Sequence, residues 1–195
     1  MRHGPTAWNA AKRLQGTSDI PLSAAGHARV AGWSLPRAVL DWRWSVSPLS
    51  RARETAALLG APPSREIEPA LIELSFGGWE GRTLDALRAD AADAMRRNEG
   101  RGLDMTPPGG ESPRQAMARL RPWLARTAAD GRDTIAVSHK GLIRVVLAMA
   151  TGWDMTGRQP ARLDWSRVHL FRVGAGGAPE IDRLNLPLDG AAWPP

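Results

Sequence analysis

The 195-residue chain contains no cysteine, so disulfides, thiolate catalysis and zinc–thiolate sites are excluded together. Lysine is nearly absent too. Lys12 and Lys140 are the only two, and the net charge of +6 rests on arginine. Those arginines are interspersed with acids, as in Arg51-Ala52-Arg53-Glu54 and Arg96-Arg97-Asn98-Glu99, with no dense basic run. A nucleic-acid partner is therefore not expected, although a positive field favours an anionic substrate. No apolar run reaches about 18 residues, so no membrane partner is expected. Met1 to Pro5 carry no apolar core of a secretory signal, which makes a cytoplasmic location the expectation. There is no glycine-rich stretch ending in Gly-Lys-Ser/Thr and no GxGxxG. Four dispersed histidines, without a His-x-His or Asp-x-Asp pair, do not describe a two-metal centre. Neither a metal nor a cofactor is expected. If this chain handles phosphate, side-chain cations do the work.

What is present reads as one α/β domain over residues 1–195. Helices are predicted from Ser23 as N-cap to about Trp33, from Ser50 as N-cap to Leu59, from Thr83 as N-cap to about Arg97, from Pro113 to about Ala129, and over Gly141–Ala150. Strands are predicted at 44–46, 67–74, 134–137, 168–173 and 181–186, with Ala175-Gly176-Gly177 as a hairpin turn. The 98–110 stretch is aperiodic and long enough for a lid. Alternating strands and helices argue for a three-layer sandwich, a mostly parallel central sheet flanked by helices on both faces, with an antiparallel pair late in the chain.

Four segments stand out in order. Arg2-His3-Gly4-Pro5-Thr6-Ala7-Trp8-Asn9 precedes Gln15-Gly16, and Ser47-Pro48-Leu49-Ser50-Arg51-Ala52 comes next. Glu73 to Gly81 lies near the middle, and Val137-Ser138-His139-Lys140-Gly141 closes the set. Their order and wording resemble the histidine phosphatase (phosphoglycerate mutase-like) superfamily from residue 2 to about residue 150, closest to its broad-specificity and alpha-ribazole phosphatase branch. The resemblance implies a metal-independent phosphomonoester hydrolase acting on a small phosphorylated substrate. His3 matches the nucleophile that becomes phosphohistidine. Arg2, Asn9, Arg51 and His139 match the pocket for the phosphoryl oxygens, and Glu73 matches the general acid. Gln15 and Gly16 match a loop near the pocket. Mutase-type phosphoryl transfer and a catalytically inactive phospho-ligand-binding member are the alternatives.

The chemistry of these residue types agrees. Phosphoryl transfer spreads charge over three oxygens with attacking and leaving atoms in line. Guanidiniums offer permanently charged planar donors, and a neutral imidazole attacks without a strong base. His139, if protonated, adds a third cation. Asn9 is read as a ligand over the alternative of a local cap. Glu80 is read as support for its loop, and His27 and His169 as structural or exposed. Two departures from the family stand out. Lys140 sits where a glycine usually follows the second histidine. Only Met1 precedes Arg2-His3-Gly4, where the family has an apolar strand, so His3 is expected to lose its anchor and 134–137 a partner.

Overall fold

A computed structural model describes residues 1–193. Three strands form a parallel sheet: β1 (Arg43–Val46), β2 (Glu66–Ile67) and β3 (Thr134–Val137), in the order β2-β1-β3. Register pairs Val46 with Ile67 on one side and with Val137 on the other. Side chains alternate across this sheet, as the period of two requires. Trp44, Val46, Ile135 and Val137 face a core made with Val30 of helix α2 (Ala24–Ala31) and with Ala52 and Ala56 of α3 (Ser50–Leu58). On the opposite face Ala136 packs against Leu120 and Leu124 of α5 (Pro113–Asp130) and Leu142 and Val145 of α6 (Lys140–Thr151). A four-residue helix, α1 (Ala7–Ala10), follows the first loop, and α4 (Leu84–Glu99) precedes the 98–110 crossing. β4 (Val168–Val173) and β5 (Pro179–Leu186) pair antiparallel as a separate two-stranded sheet.

Met1 to His3 run alongside the free edge of β3. Arg2 bridges Ser138 in parallel, the Ser138 amide donates to Met1 O at 2.9 Å, and the His3 amide donates to Ser138 O at 2.9 Å. No named strand precedes His3, yet the expected loss of anchorage does not occur, because two ladder bonds fix its backbone to β3. The Met1 amine donates to Ala136 O at 2.7 Å and is buried.

Several local readings need correction. The N-cap of α3 is Leu49, not Ser50; Asp19 reaches across to accept from both the Ser50 amide and its hydroxyl, each at 2.7 Å. That places a carboxylate on the positive end of α3 and offsets the cation of Arg51 in its first turn. The extended stretch expected over 67–74 is a strand only at Glu66–Ile67. Pro69, which lacks an amide donor, opens a 3-10 turn over Pro69–Leu71 instead. The 98–110 crossing is pinned: Asn98 bonds Thr106 through both side-chain atoms, and the Leu103 amide donates to Asp154 O at 2.8 Å.

Leu120 is fully buried where α5 meets α6. Leu120→Ala is expected to cost about 2–5 kcal/mol, read as a fall in the thermal midpoint of about 2–4 °C per kcal/mol.

Candidate active site

Both histidines of the motifs lie at the carboxyl ends of the sheet, the position where α/β proteins hold ligands. Their rings are 5.1 Å apart. His3 sits where the Met1–His3 stub leaves β3, and Gly4 beyond it is fixed by Thr55, whose Oγ1 accepts from the Gly4 amide at 2.9 Å and donates to Arg51 O at 2.7 Å. The Gly4 carbonyl lies 2.6 Å from Nδ1 of His3. A carbonyl only accepts, so Nδ1 carries the proton and Nε2 keeps its lone pair. Burial, then the neighbouring Arg2 and Arg51, push the His3 pKa well below its ordinary value. The imidazole is neutral.

Arg51 comes from the first turn of α3 and is fully buried. Its Nη1 donates to Ser18 O at 2.8 Å, its Nη2 to Gly16 O at 2.7 Å, and its Nε to Nδ1 of His139 at 3.3 Å. Three of five N–H donors are thereby engaged and two remain. Because a guanidinium cannot accept, Nδ1 of His139 must be the acceptor. Its Nε2, 2.7 Å from Ser47 Oγ, therefore carries the ring's single proton. His139 is fully buried, and burial with the adjacent His3 and Arg51 drives its pKa far down. The condition for a third cation, a protonated His139, is not met in this geometry; His139 is a neutral strut between Arg51 and Ser47.

Arg2 joins the same cage. Its Nε is buried and has no hydrogen-bond partner, and its charge bears on His3, His139 and Arg51. A buried orphan donor on a cation is poised for an incoming anion. Glu73 is buried at the amino end of α6. Oε1 accepts from the Leu74 and Leu142 amides at 3.0 Å each, and Oε2 from the Gly141 amide at 3.0 Å. Burial raises its pKa in spite of those amides and of Arg51. A Cβ at Gly141 would stand 2.6 Å from Glu73 Oε1, so any larger residue there would displace the carboxyl from its amides. Arg119 holds the backbone beneath Glu73, donating to Ala70 O and Ile72 O while pairing with Glu111.

Asn9 is the cap that the alternative reading described. Its Oδ1 accepts from the Thr6 amide at 3.0 Å in a capping box, leaving Nδ2 outside the box. Thr6 in turn donates to Gln15 Oε1 at 2.9 Å, which ties Gln15 to the site. Gly16 contributes its carbonyl to Arg51 and has φ +55°, with Glu80 Oε1 2.0 Å from where a Cβ would stand. Glu80 supports the loop as expected: it accepts from the Thr17, Ser18 and Phe76 amides. Lys140 lies on the rim with its Nζ 5.3 Å from the Trp165 ring centroid. His27 is exposed beside Glu54, and His169 accepts from the Asn185 amide, both away from the cage. Sequence reasoning assigned nothing to Thr6, Ser47, Thr55 or Arg119. Thr6 and Ser47 stood inside the quoted motifs, and their side-chain oxygens were the available signal. Among the described residues no three His, Asp or Glu side chains converge as a metal site, and no helix is long and apolar enough to cross a membrane.

A neutral imidazole between the buried Arg51 and the half-buried Arg2, at the carboxyl edge of a parallel sheet, defines a phosphate-handling α/β protein. The chain belongs to the histidine phosphatase superfamily (branch 1), whose family profile matches residues 1–187. It is 30% identical over 193 residues to a 2,3-bisphosphoglycerate-dependent phosphoglycerate mutase of Beijerinckia indica, covering 92% of this chain and 93% of that protein. It resembles a mycobacterial glucosyl-3-phosphoglycerate phosphatase structure with TM-score 0.65 and 29% identity, over 78% of this chain and 77% of the other. A putative alpha-ribazole-5'-P phosphatase of Escherichia coli shares the fold with TM-score 0.80 at 23% identity, over 98% and 97% of the two chains.

His3, His139 and His169 are held neutral by burial, His169 with its pKa lowered from 6.5 to about 4. Groups with depressed folded-state pKa values stabilise fully above their unfolded values and lose that contribution as pH falls toward the folded ones. Glu73, raised, acts in the opposite sense. With three groups against one, the thermal midpoint is expected to fall between pH 8 and pH 5. A midpoint that is flat or rising across that range in a calorimetric scan would contradict the burial of these groups.

Proposed function

We propose that this chain, acting as one domain, hydrolyses a small phosphomonoester through a phosphohistidine on Nε2 of His3. The observation that carries this reading is the commitment of His3 Nδ1–H to the Gly4 carbonyl, which leaves a neutral nucleophilic nitrogen among buried cations. The orphan Nε of Arg2, the two unused donors of Arg51 and the Asn9 amide take the phosphoryl oxygens, where charge builds in the transition state. His139 acts as a positioning residue, holding Arg51 from one side as the Gly16 and Ser18 carbonyls hold it from the other.

The Nε2 lone pair forms the N–P bond as the ester P–O bond breaks. The leaving alkoxide takes a proton from Glu73, whose raised pKa keeps that proton available. Oε2 is its natural place, because Oε2 accepts one amide and Oε1 two. The carboxylate then removes a proton from water, the water oxygen attacks phosphorus, and the N–P electron pair returns to Nε2. Alcohol and inorganic phosphate leave. Mutase chemistry is the second reading, favoured by the naming of the 30%-identical relative. There the phosphohistidine passes its phosphoryl group to a second substrate hydroxyl instead of water.

Two variants test the assignment. His3→Ala should abolish turnover of an aryl phosphate measured with chelator present; undiminished turnover refutes the nucleophile. Glu73→Gln should lower kcat on an alkyl phosphate about 10²–10⁴-fold. An aryl phosphate, whose leaving group needs no proton, should instead give a burst and a phosphorylated protein detectable by mass. Interconversion of phosphoglycerate isomers without net phosphate release establishes the mutase reading, and binding without any turnover establishes an inactive binding protein.

A further inference from the structure

Lys140 and Arg144 lie four residues apart on one face of α6. The segment between α6 and β4 brings Arg158 and Arg162 to the same place, and with Trp165 and Gln159 the four cations line a recess of about 750 Å³. No acid lines it. Several arginines elsewhere are paired: Arg43, Arg114, Arg119 and Arg126 each have a carboxylate within reach. Among the described residues, none of the four recess cations has a carboxylate within 4.0 Å. Four cations without a carboxylate partner thus share one recess, an arrangement that costs Coulomb energy until an anion offsets it.

Two of these cations are also oriented. Lys140 stands over Trp165, and Arg144 donates from Nε to Gln159 Oε1 at 3.2 Å, with its guanidinium 5.3 Å from the Trp153 ring centroid. The recess adjoins the catalytic cage through the chain itself. Lys140 follows His139 directly, and the next residue, Gly141, gives its amide to Glu73. The charges of Lys140 and Arg144 both bear on Glu73, which serves the leaving group in the hydrolase reading, and this puts the recess on the alcohol side of the ester in that reading.

We infer that Lys140, Arg144, Arg158 and Arg162 form a second anion subsite, and that the preferred phosphomonoester carries a further anionic group, a carboxylate or a second phosphate, on its alcohol portion. This inference rests on the hydrolase reading above. It is tested by comparing kcat/KM for 3-phosphoglycerate and glycerol 3-phosphate, which differ by a carboxylate in place of a neutral hydroxymethyl group. 1,3-Propanediol bisphosphate serves as the arm that detects a preference for phosphate. Wild-type protein should favour an anion-bearing ester at least about tenfold at low salt. That ratio should fall toward one at high salt and in the Arg158→Gln/Arg162→Gln double variant. Equal kcat/KM for all three esters, with aryl phosphate still hydrolysed, overturns the subsite and leaves the hydrolase reading standing. A ratio unmoved by the double variant overturns the assignment to these residues. If no ester is turned over the hydrolase reading fails, and titration calorimetry with the same compounds decides the subsite: equal affinities for charged and neutral esters overturn it.

Discussion

Everything in the site depends on a buried cation whose donors reach no carboxylate among the described residues. Arg51 is fully enclosed, and its guanidinium is held by two backbone carbonyls and one imidazole nitrogen. A buried charge is tolerated only when its donors are satisfied and its surroundings are polar. The fold supplies that through the 16–18 loop, whose shape is set by Glu80 accepting three backbone amides. The positive φ of Gly16 and the Asp19 carboxylate on the amino end of α3 belong to the same device. Four stretches far apart in the chain are therefore specified together, because each satisfies or aims one guanidinium.

The electrostatic state of the other groups follows. With Arg2 and Arg51 close by in a desolvated pocket, neither imidazole gains from a proton, and both are neutral. The same burial acts on Glu73 in the opposite chemical sense, favouring its uncharged, protonated form against the pull of three amides. One environment thus holds both imidazoles neutral and shifts the Glu73 carboxyl toward its protonated form. Solvating the pocket would weaken both at once, which ties the chemistry to the tight closure of His3 and His139 against the sheet end.

How much of this was legible in the chain depends on the range over which each feature acts. The Arg2-His3-Gly4, Ser50-Arg51 and Ser138-His139 words and the three-layer fold were legible, because they combine local spacing with strand and helix periodicity. The neutral state of His139 was not, since it is decided by Arg51 and Ser47, 88 and 92 positions away. The part Arg119 plays under Glu73 depends on contacts 46 to 49 positions distant. The expected weakness at His3 failed for a related reason. A strand was sought by its apolar run, but anchorage needs only the few ladder bonds that Met1 to His3 make with Ala136 and Ser138. Asn9 shows the converse case, where the local propensity for capping is what the structure displays, with Oδ1 in the box and Nδ2 outside it.

The departure at Lys140 gains a physical meaning from these contacts. The crowded position beyond the second histidine is 141, where a Cβ would collide with Glu73; at 140 the side chain turns outward over Trp165. Replacing glycine at 140 therefore leaves the packing of the cage untouched while adding a cation to its rim. That cation stands one helical turn from Arg144 and shares a recess with Arg158 and Arg162, which come from the segment after α6. The first turn of one helix thus serves both places: its amides hold the Glu73 carboxyl, and its Lys140 side chain lines the cationic recess.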